Sequence, residues 1–92
     1  MNIESDTPAI VLYGTAWCPD VAFVRRYLDR HEIVYDYCDI DLDTQAMAAI
    51  LAISGADWVV PTFVFPDSSV LCNPSIKALA EKLGNPKIKR GR

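Results

Sequence analysis

The sequence predicts an α/β domain with the element order βαβαββα, a four-stranded mixed sheet flanked by three helices. Three observations carry this. The unbroken apolar run "AIVLYG" (9–14) suits a central strand covered on both faces. Amphipathic segments with capping residues at their starts follow it. Two short apolar runs late in the chain flank a turn-forming triplet, which marks a hairpin. The strand–helix–strand start implies a right-handed crossover with its two strands parallel, while the hairpin is antiparallel. Ninety-two residues suit one domain. It is expected over 1–84, with 85–92 as a basic, disordered tail.

Each element has a local reason. Pro19 fits the first turn of a helix, where its missing N–H costs nothing. Val21, Val24 and Leu28 then recur at helical spacing and form a buried stripe. This helix is expected to run to about His31, whose position at the end complements the helix dipole. The stretch "IVYDYCDID" (33–41) is rich in β-branched and aromatic residues and reads as the second strand. Asp43 caps a second helix whose inner face is expected to carry Met47, Ile50, Leu51 and Ser54, with Gly55 as its stop. The hairpin strands are "TFVF" (62–65) and "SVLC" (69–72), joined by Pro66-Asp67-Ser68. Asn73 is expected to cap the third helix, with Pro74 in its first turn. Ile76, Leu79, Ala80 and Leu83 give its apolar face, and Gly84 and Pro86 end it.

Charge and composition exclude several functions. Residues 1–84 hold all twelve acids but only five of the nine bases. An acidic body of this kind does not suit nucleic-acid binding. The other four bases fall in "KIKRGR". No run of 18 apolar residues occurs, so no membrane span is expected. The opening "MNIESDTP" has neither a basic n-region nor an apolar h-region, so a cytoplasmic setting is expected. Three cysteines, Cys18, Cys38 and Cys72, do not make a disulfide framework, and one histidine does not make a zinc site of ordinary spacing. A monomer is expected, with no metal.

Cys18 carries the strongest chemical signal. It stands where a strand gives way to a helix, beside unpaired backbone N–H groups and the positive end of the helix dipole. That setting favours thiolate, the nucleophilic form. Trp17 and Pro19 flank the sulfur and shape the surface around it. Asp20 pulls the other way as a nearby like charge, and it also suits a helix's first turn. The plain alternative is a buried, inert cysteine. Val60-Pro61 is the second signal: a proline just before a strand is tolerated at a strand's start or marks a special peptide bond. Cys38, in an aromatic strand, reads as core. Trp58 reads as packing or a rim residue.

Taken together, "WCPD", "VPTF", the "DSS" turn and the capped last helix resemble the glutaredoxin family of the thioredoxin fold. The resemblance covers about residues 8 to 84. It implies thiol–disulfide exchange with Cys18 as the nucleophile. It also implies that Pro61 is a cis-proline facing that cysteine and that the backbone of Val60 pairs with the cysteine part of a bound thiol peptide. Three positions depart from the common pattern. Thr15 stands where many members have a basic residue, and the resemblance places it among the thiol- and substrate-binding residues with Trp17, Pro19, Val60, Pro61, Asn73 and Ser75. Asn73-Pro74-Ser75 replaces a Gly-Gly-x-Asp segment that holds a ligand's γ-glutamyl end, leaving Asn73 and Ser75 as the polar groups there. In these two features the chain is similar to the mycoredoxin-type bacterial branch. Val21 occupies the place of a resolving cysteine.

The resemblance therefore implies a monothiol route: Cys18 resolves mixed disulfides with a low-molecular-weight thiol, glutathione or mycothiol-like, as co-substrate and no tightly bound cofactor. Its partners would be that thiol and protein mixed disulfides. Cys72 is an alternative resolving thiol or a small buried hydrophobe. Three other readings share these residues: an Fe–S carrier, a redox-silent adaptor, and an engineered resolving-cysteine variant of a dithiol enzyme.

Overall fold

In a computed structural model, which describes residues 10–84, the expected element order is present. The strands are β1 (Ile10–Gly14), β2 (Tyr35–Asp39), β3 (Thr62–Val64) and β4 (Val70–Cys72), and the helices are α1 (Pro19–Arg30), α2 (Thr44–Ser54) and α3 (Ile76–Lys82). Ala9, Pro86 and the expected tail 85–92 lie outside the described residues. The sheet order is β2-β1-β3-β4. β1 pairs with β2 in parallel and with β3 antiparallel, and β4 pairs antiparallel with β3.

Alternation along β1 divides the interior into two layers, because successive side chains point to opposite faces of a strand. Leu12 joins Phe63, Phe65, Val24, Leu28 and Leu79 in the core between the sheet and α1 and α3. Tyr13 faces the other way and packs with Cys38, Met47, Trp58 and Val60 around Ile40, Ala46 and Ile50 on the α2 side. Trp58 is thus a packing residue, and Cys38 is half-buried in this second layer.

Helix ends show the expected chemistry with some changes. Asp43 caps α2 by accepting from the N–H groups of Gln45 (2.9 Å) and Ala46 (3.3 Å). Gly55 ends α2 with φ 71°, a conformation that suits a residue without a side chain. At the end of α1, the N–H of Glu32 donates to Asp29 O and that of Ile33 to Leu28 O. Glu32 takes φ 58° there, so a Schellman-type close occurs without a glycine.

Four expectations are corrected. Leu51 does not line the inner face of α2: Ala46 and Ile50, one turn apart, point at the sheet, and Leu51 is turned away and exposed. The second strand is shorter than 33–41. Its ladder with β1 begins at Tyr35, since Ile33 is used to close α1 and Val34 is exposed, and Asp39 turns the chain by accepting from Asp41 N at 2.8 Å. The hairpin strands are also shorter than 62–65 and 69–72, with Phe65 N–H donating to Ser69 O as the last rung. The third helix begins at Ile76, and its cap is Ser75 rather than Asn73.

The hairpin turn is tied to α3. Asp67 accepts from Ser69 N (3.0 Å) and Ser69 Oγ (2.6 Å), and Lys82 donates to its other oxygen at 2.9 Å. The Ser69 hydroxyl first, then Lys82, hold the Asp67 carboxyl well below the usual carboxylate range. A carboxyl depressed in this way adds stability above its ordinary pKa and loses it as pH falls through the folded value. This contribution is expected to fade as pH falls below about 4, where the unfolded chain takes up the proton, while the Lys82 tie itself persists in the folded protein down to the depressed value. Asp67→Asn is expected to remove that part of the acid dependence in pH-dependent thermal melts.

α1 packs tightly against β1 at Gly14. A Cβ placed there would lie 2.7 Å from Val21 Cγ1 and 3.1 Å from Tyr37 Cε1. Gly14→Ala is therefore expected to destabilise the domain by about 1–3 kcal/mol through overpacking. Combined with Val21→Ala, its cost should be smaller than the sum of the two single changes. Urea denaturation of the three variants checks both statements.

Candidate active site

Gly14 ends the central strand, and the chain reaches α1 through Thr15, Ala16 and Trp17. Cys18 is the N-cap residue, extended at φ −87° and ψ 121°, with Pro19 in the first turn. Cys18 O accepts from Ala22 N at 3.2 Å. The half-buried thiol takes no cap hydrogen bond, so the first N–H groups of α1 stay available to a bound anionic group, as at other helix starts. Asp20 lies in the same turn and is exposed.

The neighbouring strands bring further residues to this end of the sheet. Continuing the register of β1 with β3, in which Tyr13 faces Thr62, sets Gly14 beside Pro61. The Val60–Pro61 peptide is cis. Thr62 Oγ1 donates to Val59 O at 2.7 Å and steadies the bend. Among the described residues Val60 makes no backbone hydrogen bond; its N–H and C=O are free, while its side chain packs in the α2-side layer. Thr62 faces Cys72 in the next ladder. Asn73 N then donates to Pro61 O at 2.6 Å, joining the end of β4 to the proline segment.

Asn73 adopts φ 47°, a left-handed conformation that asparagine tolerates better than most residues. It is the hinge that turns the chain into α3. Ser75 caps that helix, its Oγ accepting from Ala78 N at 3.1 Å. An open groove of about 570 Å³ lies between α1 and this connection, lined by Asp20, Phe23, Asn73, Pro74 and Ser75 among others. Two helix starts thus border one groove.

The site residues expected from the sequence divide into groups. Asn73 and Ser75 line the groove, and Pro61 is bonded to Asn73. Trp17 is 69% exposed, and its indole N–H donates to Asp41 at 2.8 Å, which pins the ring beside Cys18. Pro19 is exposed on the first turn of α1. Thr15 is 1% exposed, so it offers no surface to a ligand as the protein stands, and its Oγ1 has no partner among the described residues. Val21 is 1% exposed and packs on Gly14. Cys72 is exposed rather than buried, with its Sγ 3.8 Å from Ser54 Oγ. Cys38 differs from both: burial first, then the carboxylates of Asp43 and Asp36, push its thiol pKa up. Phe23 and Asp41 escaped the sequence reading. Phe23 is an aromatic residue on the polar side of an amphipathic helix, which was a usable signal. The Asp41–Trp17 pairing spans 24 residues and had none.

Among the described residues no group of three or more His, Cys, Asp or Glu side chains is placed to hold a metal ion. No helix there is long and apolar enough to cross a membrane.

Fold and site together define a thioredoxin-like domain with a cysteine at the start of its first helix and a cis-proline segment beside it. Two solved structures share the architecture. The thioredoxin-like protein BC3987 superposes with a TM-score of 0.70 at 25% identity, over 78% of this chain and 96% of that one. The glutaredoxin grx-1 of Archaeoglobus fulgidus gives 0.68 at 21% identity, over 90% and 95%, and supports the fold. A family model described as glutaredoxin matches residues 10–66. Two proteins of Mycobacterium tuberculosis, from strains CDC 1551 and H37Rv, both named "Putative glutaredoxin", are 34% identical over 77 residues, covering 84% of this chain and 92% of theirs. The chain belongs to the glutaredoxin family.

The two polar groups of the β4–α3 connection carry different loads. Ser75→Ala is expected to lower stability by about 1 kcal/mol through loss of the cap. Asn73→Gly should be tolerated, because glycine takes a left-handed φ without strain. Thermal unfolding of both variants checks which residue caps the helix.

Proposed function

We propose that this chain is a monothiol thiol–disulfide oxidoreductase that resolves mixed disulfides between proteins and a low-molecular-weight thiol of the glutathione or mycothiol type. The observation that carries the reading is Cys18 at the N-cap of α1, with a buried valine, not a second thiol, one turn on. The Cys18 thiolate attacks the small-thiol sulfur of the mixed disulfide. The protein thiolate departs and takes a proton, and the small thiol stays on Cys18 as a new disulfide. A second small-thiol thiolate attacks that adduct. It leaves with the first as a symmetrical disulfide and returns Cys18 to the thiolate. Each step exchanges one S–S bond for another, and the net consumption is one free small thiol, which leaves in a symmetrical disulfide with the one the substrate carried.

The groove between α1 and the β4–α3 connection is suited to hold the small thiol. Free backbone groups of Val60 offer a β-type pairing to its cysteine portion. Ser75, Asn73 and the start of α3 offer neutral donors to its other end. Asp20 opposes an anionic group at that place, which favours a thiol with an uncharged polar end. All three cysteines are free, as a reducing cytoplasm would keep them, and the protein acts as a monomer.

A coupled assay with small-thiol mixed disulfides tests this. Turnover is expected in the native protein, to fall to background in Cys18→Ser and to persist in Cys72→Ser. Turnover that survives in Cys18→Ser, or is lost in Cys72→Ser, contradicts the monothiol route.

A further inference from the structure

The wall of the groove continues beyond the site. Phe23 and Ile76 line it, and they also line a second cavity of about 240 Å³. The rest of that cavity is Arg26, Tyr27, Arg30 and His31. Its floor is aromatic and aliphatic, and its rim is cationic. No step at Cys18 uses it.

The cations stand out against the rest of the surface. Residues 10–84 contain five bases and ten acids. Lys82 is ion-paired with Asp67. Arg25 is held by the Tyr35 hydroxyl at 3.2 Å and lies 3.9 Å over the Tyr37 ring. Arg26 and Arg30 are exposed and have no ion-pair partner among the described residues. The nearest acid in sequence, Asp29, accepts a hydrogen bond from Tyr35 instead. His31 packs on Tyr27 with ring centroids 4.5 Å apart, and its buried Nδ1 has no hydrogen-bond partner among the described residues.

We propose that this cavity receives an acidic side chain of the protein that carries the mixed disulfide. The proposal rests on the exchange reaction at Cys18 and names the kind of protein that the reaction selects. At ~1.5 Å per helical residue, Arg26 and Arg30 lie roughly 12 and 18 Å along α1 from Cys18. An extended peptide advances ~3.3 Å per residue, so it covers that span in about four to five residues. A partner with Asp or Glu at that distance from its reactive cysteine places the carboxylate between the two guanidinium groups, with its methylene carbons on Phe23 and Ile76. Among the described residues the other unpaired cation, Lys77, stands alone on α3, and ten acids share the remaining surface, so the two arginines are the one place there where a carboxylate meets paired positive charge. Such a contact acts mainly on encounter and orientation.

The probes are synthetic peptides with one cysteine activated as a mixed disulfide with thionitrobenzoate. The Cys18 thiolate bonds to the peptide sulfur and displaces the thionitrobenzoate anion, whose colour gives the rate. One set carries Glu five residues from the cysteine, on either side; the control set carries Gln. The protein is the Cys72→Ser form, so that the fast phase reports Cys18. In one or both orientations the Glu peptide is expected to react about fivefold faster than its Gln partner at low salt. That advantage should vanish in Arg26→Gln/Arg30→Gln and in high salt. The neutral hydroxyethyl–thionitrobenzoate disulfide should react equally with both proteins. Both arginines are exposed, so the double variant is expected to fold, and its melting temperature checks that. A Cys72→Ser protein that does not prefer Glu in either orientation, or a preference that persists when Arg26→Gln/Arg30→Gln is added, overturns the proposal. Failure of Cys18 to react even with the small disulfide is a different result: it overturns the exchange reading, and this proposal with it.

Discussion

The packing of Val21 on Gly14 is the contact on which the site depends. β1 ends at Gly14 with no side chain on the helix-facing side, and the methyls of Val21 fill that space. This seats the first turn of α1 directly on the end of the central strand. Cys18, one turn earlier, is thereby set just beyond the end of the central strand. A residue with a Cβ at position 14 would lift the helix, and the thiol would move with it. Val21 is thus part of the support that holds Cys18 in place.

Three thiols in one small domain have three different surroundings. Cys38 lies in the α2-side layer, where burial and then the acids Asp43 and Asp36 raise its thiol pKa and so disfavour the nucleophilic thiolate. Cys72 is exposed at the end of β4, with a serine hydroxyl near its sulfur and no helix start of its own. Cys18 has the helix start, the adjacent proline segment and a pinned indole. Position in the fold, not the number of cysteines, separates them. The same arrangement leaves open the groove between α1 and the β4–α3 connection, and α1 extends its wall toward two arginines that have no ion-pair partner among the described residues.

Much of this is legible in the sequence. Apolar continuity in "AIVLYG", the Val21/Val24/Leu28 stripe and the Asp43 cap are local signals, and they hold because tertiary packing agrees with them. Elsewhere a local rule gave way. Asn73 has the side chain of a cap, but the 2.6 Å bond from its N–H to Pro61 O draws it into a left-handed turn. Ser75 takes the cap instead. Leu51 has the character of a core residue, but the helix phase set by Ala46 and Ile50 turns it to solvent. Thr15 looked like a ligand contact by its place in the chain, yet the tight turn from β1 into α1 buries it. The Trp17–Asp41 bond and the arginine-rimmed cavity join distant segments or depend on which side chains find partners, so spacing alone could not reveal them.

Every step proposed for the site requires that Cys18 alone among the three thiols react readily. Competitive alkylation of the native protein with iodoacetamide, read site by site by mass spectrometry near neutral pH, tests it most directly. Cys18 is expected to be modified much faster than Cys72, and Cys72 faster than Cys38, with the difference abolished on unfolding. Equal rates at Cys18 and Cys72, or a Cys18 no faster than a free thiol in a peptide, would contradict it.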